Sequence, residues 1–329
     1  MRSLLFFSFI LILSLHSSIY AQSEKGKIYM KLFSNFHTSY SNGKNTESAF
    51  EVQRAYLGYR YQMDEHFSAN IKLDIGSPEQ QSSYDLLKRY AYFKNAALKY
   101  ERDALSIEFG LIDMYQFNVQ EKYWGYRYIY KSFQDEHKFG SSADLGASIS
   151  YTFNKLFHLD FAVMNGEGYN QLQTDKTFKT GMGLTITPWD NFKGRLYADF
   201  AKTSITQSTI AGFVGYQIKK WAKLGAEYNY QMNNAFDKNH NLYGLSFYST
   251  IYLHEKIELF GRYDRLWSNR ISGELYDWNI ARDGSAIITG IQYTPVNKVR
   301  MAVNYQDWYP YPKNLEDETY FYLSLEYKL

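Results

Sequence analysis

Residues 67–75 read FSANIKLDI, and every second side chain changes character. Phe67, Ala69, Ile71, Leu73 and Ile75 fall on one side of an extended backbone, and Ser68, Asn70, Lys72 and Asp74 on the other. Residues 256–264, KIELFGRYD, repeat the division, with Ile257, Leu259 and Tyr263 against Lys256, Glu258, Arg262 and Asp264. The chain ends the same way, on an apolar stripe of Phe321, Leu323, Leu325, Tyr327 and Leu329. Strands patterned like this have one face that shuns water and one that needs it.

Working outward from these runs, the alternation predicts sixteen strands. They begin near Lys27, Phe50, Phe67, Arg89, Ala104, Asp144, Leu156, Thr177, Phe192, Thr209, Ala222, Leu242, Lys256, Ser285, Lys298 and Thr319. Most run for about ten residues, enough for a tilted strand to cross a bilayer. After Lys27 no apolar run reaches the length of a membrane helix. The aromatic share is 19% while mean hydropathy is −0.47, which excludes a helical membrane protein and suits a wall that shows rings to lipid and polar groups to water. All five prolines, Pro78, Pro188, Pro295, Pro310 and Pro312, fall between the predicted strands.

The connections are predicted to be sorted. Short turns such as MDEH (63–66), NK (154–155) and HE (254–255) follow even-numbered strands. Longer polar stretches follow odd-numbered ones, among them HTSYSNGKNTESA (37–49), SPEQQSSYDLLK (77–88) and NGEGYNQLQTD (165–175). A soluble sandwich has no reason to sort its loops, and no repeat unit supports a propeller. The fold class expected is all-β: a transmembrane antiparallel β-barrel of the outer-membrane type with about sixteen strands.

At the N-terminus, Arg2 and the apolar run LLFFSFILILSL have the form of a secretory signal peptide, with cleavage after Ala21. Residues 22–329 are then one barrel domain, placed in the outer membrane. The absence of cysteine excludes disulfides, thiolate metal sites and a cysteine lipid anchor, and the net charge of +2 gives no case for nucleic acid.

The longest gap between strands is 112–144, IDMYQFNVQEKYWGYRYIYKSFQDEHKFGSSAD. Loops of this length are uncommon in a regular architecture and usually functional. Lys122, Arg127 and Lys131 are interleaved with Tyr123, Trp124, Tyr126, Tyr128 and Tyr130. Rings exposed to water would be an association liability, so this third external loop is expected to fold inward and pack on the wall. Glu121, Lys122, Arg127 and Lys131 then become candidates for a pore constriction, facing Arg54, Lys72, Arg195 and Arg262 of the wall. On the predicted inward faces, Lys31, Arg54, Arg60, Lys72, Lys179, Lys193, Arg195, Lys223, Lys256, Arg262, Lys298 and Arg300 outnumber Asp74, Glu108, Asp160, Asp199, Glu227, Glu258 and Asp264. A lumen of that sign prefers anions mildly.

Catalysis has one nominal candidate, His37 with Ser39 or Ser41, set in residues that read as a hairpin loop. No catalytic, cofactor-binding or metal-binding residue is assigned, and no cofactor is expected. The function expected is passive diffusion of small hydrophilic solutes and ions. The alternatives are a structural or adhesive barrel and a lipid-modifying barrel enzyme. The partners expected are outer-membrane lipid and small hydrophilic or anionic solutes, with a homotrimer possible.

The run FEVQRAYLGYRYQMDEHFSANIKLDIG (50–76), FGLIDM (109–114), the aromatic, basic loop and SADLG (142–146) together resemble the phosphate-selective porin O and P type family, especially its divergent branch from Bacteroidetes-like bacteria. Gln53, Arg54, Leu57 and Gly58 match that family's early strand, and Asp144, Leu145 and Gly146 match the motif at which its third loop rejoins the wall. Ala143 stands where the family often has arginine. The resemblance covers Phe50 to Phe153 and implies a sixteen-stranded, trimeric porin.

Overall fold

The computed structural model describes residues 25–76, 90–312 and 315–329. The expected leader at 1–21 and the polar stretch at 77–88 lie outside them. Sixteen antiparallel strands follow in chain order: β1 (Gly26–Ser41), β2 (Lys44–Gln62), β3 (Phe67–Gly76), β4 (Tyr90–Arg102), β5 (Leu105–Asp113), β6 (Ala143–Thr152), β7 (Phe157–Met164) and β8 (Lys179–Ile186), then β9 (Phe192–Lys202), β10 (Thr206–Ile218), β11 (Ala222–Met232), β12 (Leu242–His254), β13 (Ile257–Ser268), β14 (Gly284–Val296), β15 (Val299–Pro310) and β16 (Glu318–Lys328). Each pairs with its sequence neighbours, and β1 pairs with β16 to close the barrel. Closure leaves no sheet edge unpaired, which is what permits a sheet to stand in lipid. The expected barrel of about sixteen strands is the fold observed.

The period of two sets the faces as read. In β3 Ser68 and Asp74 are buried inside while Phe67 and Ile71 are exposed on the outer wall. In β13 Arg262 and Asp264 point inward and Tyr263 outward. Large apolar groups stand open on the outer surface, Phe109 at 70% and Val303 at 65%. Aromatic rings gather at both ends of this surface. Tyr151 with Phe153 and Trp189 with Phe192 lie beside short turns, and Tyr230, Tyr243 and Trp267 stack in a row near the other end. An apolar band between two aromatic girdles is the exterior of a membrane barrel.

The start of β1 and the end of β16 share an end with the short turns at 63–66, 103–104, 153–156, 187–191, 219–221, 255–256 and 297–298; this is called the turn end, and the opposite one the loop end. The sorting is less complete than expected. The first loop-end connection, read as thirteen loose residues, is a two-residue turn, because β1 continues to Ser41 and β2 starts at Lys44 rather than at Phe50. Asn42 and Gly43 both take left-handed conformations, φ 50° and 72°, as a tight hairpin of matching twist requires. The ladder above the apolar band is held by cross-strand polar pairs, Ser39 Oγ to Thr46 Oγ1 at 2.7 Å and Asn45 Nδ2 to Thr38 Oγ1 at 2.7 Å. Polar residues on both faces erase the alternation without ending the strand. The fifth connection, 203–205, is also short, since β10 begins at Thr206 instead of Thr209.

Two further expectations need correction. Pro295 lies within β14, at the register irregularity between Tyr293 and Val296 where no ladder donor is needed, and Pro310 is the last residue of β15. Lys256 and Lys298 belong to two-residue turns, not to the lumenal wall. Lys298 has φ 74°, and the Lys256 ammonium donates to the Pro295 carbonyl at 3.1 Å.

Candidate functional site: the lumen and its inserted loop

Loop 3, residues 114–142 between β5 and β6, runs into the barrel as its sequence predicts. It carries two short helices, α1 (Asn118–Trp124) and α2 (Phe133–Glu136). Gly125 ends α1 in the left-handed conformation and its N–H closes on the Glu121 carbonyl. Trp124, Tyr126, Tyr128 and Ile129 then pack with Phe213, Tyr248, Phe260 and Ile288 of the wall, and also reach Phe33 and Tyr56. The Trp124 ring stands edge-on to Tyr248 at 5.7 Å, and Tyr126 lies 4.5 Å from Phe260. Phe133 and Phe139 pack on Leu242 and Leu266 in a second cluster. These wall residues occupy inward positions that a water-filled lumen would make polar. Their apolar character was the sequence signal that something covers them.

The loop backbone is outside regular structure and buried, so its carbonyls need donors. The wall supplies them. Arg300 donates to Gly125 O at 2.8 Å, Arg262 to Lys131 O at 2.6 Å, Arg195 to Tyr115 O at 2.9 Å and Gln231 to Phe139 O at 3.0 Å. Loop hydroxyls return the contact, Tyr126 to Glu258 at 2.7 Å and Tyr128 to Gln292 at 2.9 Å. Arg195 is also paired with Asp160 at 2.6 Å and Arg262 with Asp264 at 2.6 Å, the side chains of the second pair being 0% exposed. Arg195 and Arg262, expected to face the pore, thus sit in closed ion pairs beneath the loop and anchor it.

Where the chain rejoins the wall, the Asp144–Gly146 motif has a mechanical role. One Asp144 oxygen accepts the Leu145 N–H at 2.7 Å and the other the Gly166 N–H at 2.8 Å, tying loop 3 to the next loop-end connection. A Cβ on Gly146 would stand 2.2 Å from the Val163 carbonyl, so only glycine fits there.

The other arc of the lumen, β2 to β5, meets the loop with charge. Arg54 lies 3.3 Å from Asp74, and Lys72 is 3.2 Å from Asp113. On the loop side, Arg127 bridges Glu121 at 3.4 Å and Asp135 at 3.0 Å, and Lys122 is exposed on α1. Lys131 lines the cavity described below. Sequence reasoning missed Lys94 on this arc. The register of β3 and β4 slips between Lys72 and Leu73, leaving Lys94 as an extra residue that turns inward beside Asn95. Its ammonium is 4.3 Å from the Tyr169 ring centre and bonds the Ser142 hydroxyl. Two adjacent polar residues breaking the alternation were the signal. Glu326 was missed as well; it is buried, accepts from Arg300 at 2.6 Å, and lies 3.0 Å from Lys328.

On the loop-end side of loop 3 a cavity of about 1530 Å³ opens. Its described lining carries Asp135, Glu136, Glu167, Asp175, Asp307, Glu316 and Glu318 against Arg54, Lys131, Lys138, Lys179 and Arg282. The cationic excess expected along the wall is therefore met by acids that loops and later strands contribute. Burial raises the Glu136 carboxyl above its ordinary range. Burial likewise pushes the His137 imidazole down to about 4, with Asp264 pulling it up and Arg262 pushing it further down. His37 Nδ1 donates to Asn35 Oδ1 at 2.9 Å, and Ser39 bonds Thr46, so the nominal serine–histidine pair is not assembled.

The class that this architecture defines is the porin-type barrel, a closed wall narrowed by an inserted third loop. No family model matches the sequence, and no curated protein matches it. Solved structures do. OmpF of Salmonella typhi, solved with daunomycin, superposes with a TM-score of 0.67 at 14% identity over 94% of this chain and 99% of that one. The outer membrane channel DcaP of Acinetobacter baumannii gives 0.66 at 12% identity, covering 94% and 99%. An anion-selective porin from Comamonas acidovorans gives 0.64 at 9% identity, covering 92% and 99%. At these identities the likeness is one of fold.

Proposed function

We propose that the protein is an outer-membrane porin through which small hydrophilic solutes and ions diffuse passively. The carrying observation is the asymmetry of the lumen. Loop 3 is pinned by buried wall arginines against one arc, while the opposite arc stays charged and partly exposed below a wide polar cavity. Solutes pass between loop 3 and the β2–β5 wall. The loop end faces the exterior and the turn end the periplasm, as for a barrel exported by a signal peptide cleaved after Ala21.

Glu121, Lys122, Arg127 and Lys131 with Arg54 and Lys72 line the narrow part, and Arg195 and Arg262 set its shape by holding the loop. Because most of these charges are matched by neighbours, the anion preference is mild, and it is carried by cations that keep solvent contact, Lys122 first. The kinship with phosphate-selective porins and a trimeric assembly belong to the same proposal, supported by the elements at 53–58 and 144–146. Purified protein added to a planar bilayer should give ohmic conductance steps, with a reversal potential in a salt gradient slightly on the anion side. Absence of steps would overturn the channel and leave a structural or adhesive barrel. Phosphate reducing chloride current would support the phosphate-selective kinship, and no reduction would count against it.

A further inference from the structure

The outer wall of a membrane barrel should be free of unpaired charge, because a lipid-facing Arg or Lys costs about 2–4 kcal/mol at the midplane and about 0–1 near an interface. Arg265 is such a charge, set toward the loop end of the wall. It alternates with the inward Asp264 and Leu266, so it faces outward, three residues from the loop end of β13. Its guanidinium donates to Ser285 Oγ at 3.0 Å and lies 5.3 Å and 5.4 Å from the ring centres of Trp267 and Tyr311. Among the described residues no carboxylate pairs with it. Two rings and a hydroxyl hold the cation in place and leave it without a counter-charge.

Directly below on the same face, the wall carries a furrow of about 790 Å³. Ala226, Ser249, Gly261 and Thr289 line it, and Phe247 and Tyr263 are among its rings. Ser249 pairs with Gly261 and Gly261 with Thr289, so the small residues lie side by side across three strands. Gly261 has no backbone need to be glycine, since a Cβ there would meet nothing nearer than Ser249 Oγ at 3.9 Å. Gly261 and Arg265 share one face of β13, four residues or about 13 Å apart along the strand. That places the cation near the headgroup level and the furrow in the apolar layer.

We infer that this face, β12 to β14, is a binding site for one anionic membrane lipid, its phosphate at Arg265 and an acyl chain in the furrow. Charge complementarity selects this occupant. A second copy of the chain would need to bring an acid to the cation, whereas an anionic lipid brings phosphate and chain together. The inference rests on the barrel standing in a membrane, and its test is separable from that reading.

The full-length protein in detergent is incubated with phosphatidylglycerol or phosphatidylcholine of the same acyl chains and examined by native mass spectrometry. We expect about fivefold greater retention of the anionic lipid, the effect of one cation near a charged headgroup. Arg265→Gln, which can keep the bond to Ser285, should abolish that difference. Gly261→Leu, or Ala226→Leu if the first misfolds, should lower retention of both lipids. Equal retention of both lipids by the unaltered protein, or an undiminished difference in R265Q, overturns the site. Inorganic phosphate removing the preference while the furrow variants have no effect would assign Arg265 to free phosphate and overturn the lipid. So would a change of oligomer mass without a change in lipid, which would make this face a contact between copies. Conductance recorded on the same variants should be unaltered, so failure of the lipid site leaves the channel reading untouched.

Discussion

The two arcs of the lumen are built from the same alternating strands and differ in what they turn inward. From β10 to β15 the wall presents Phe213, Tyr248, Phe260 and Ile288, and loop 3 covers them. From β2 to β5 it presents Arg54, Asp74, Lys72 and Lys94; Tyr56 joins the covered cluster and Asp74 and Lys94 are buried, while Arg54 and Lys72 keep part of their solvent. Burial of rings decides where the loop lies, and charge decides what remains of the opening. The loop's own aromatics could not choose an arc without apolar partners on it, and its carbonyls could not be buried without Arg195, Arg262 and Arg300 to meet them. The wall is thus as much a template for the loop as the loop is a filter for the wall.

The strongest way to break this contrast is at the covered arc. Arg262→Met leaves Asp264 buried and unpaired and removes the donor to Lys131 O, which should cost about 3–5 kcal/mol. The expected result is a lower unfolding midpoint and a larger, noisier single-channel conductance. The double variant with Asp264→Leu should recover much of the midpoint but not the quiet conductance, since the loop carbonyl still lacks its donor.

The open arc is sharpened by charge. Replacing Lys122, Arg127 and Lys131 together by glutamate should move the reversal potential toward cations with the barrel still assembled, and an unmoved potential would take loop 3 out of the ion path. Below that in size comes pH. The folded protein holds His137 neutral down to about 4, against 6.5 ordinarily, so between those values a detached loop binds a proton that the docked loop does not. Docking is then at full strength above about 6.5 and weakens as pH falls toward 4. Glu136 acts with the opposite sign, because its raised carboxyl keeps a proton in the docked loop that a detached loop loses, a contribution that fades as pH rises. Protease sensitivity of loop 3 followed from pH 7 to 4 should rise, and His137→Gln should remove the rise. The smallest effect belongs to the first hairpin. Gly43→Ala, forced to keep φ near 72°, should cost about 1 kcal/mol and leave conductance alone, because the added Cβ meets nothing within 4 Å.

The wall was legible because its pattern is local. A period of two needs only neighbouring residues, and Phe67 to Ile75 or Ile257 to Asp264 state their faces without help from the rest of the chain. Legibility failed where that pattern stopped carrying information. Thr38 to Ser48 is polar on both faces, so a continuing ladder looked like a loop. Lys94 entered the lumen through a bulge that no count of alternation includes. Glu326 meets Arg300 directly across the β15–β16 hairpin, a register that alternation within either strand does not give.

Residues 112–144 mark the limit. Their length, rings and cations were sufficient to predict an inward loop, since an aromatic segment must be covered somewhere. Which cations would be exposed was settled only by tertiary structure. Arg195, Arg262 and Arg127 look alike in sequence as single basic residues near acids. The barrel closes the first two over Asp160 and Asp264 and sets the third between Glu121 and Asp135 at the edge of the remaining space. Alternation is a property of neighbours along the chain; whether a charge keeps its solvent is a property of what the folded loop and wall lay over it.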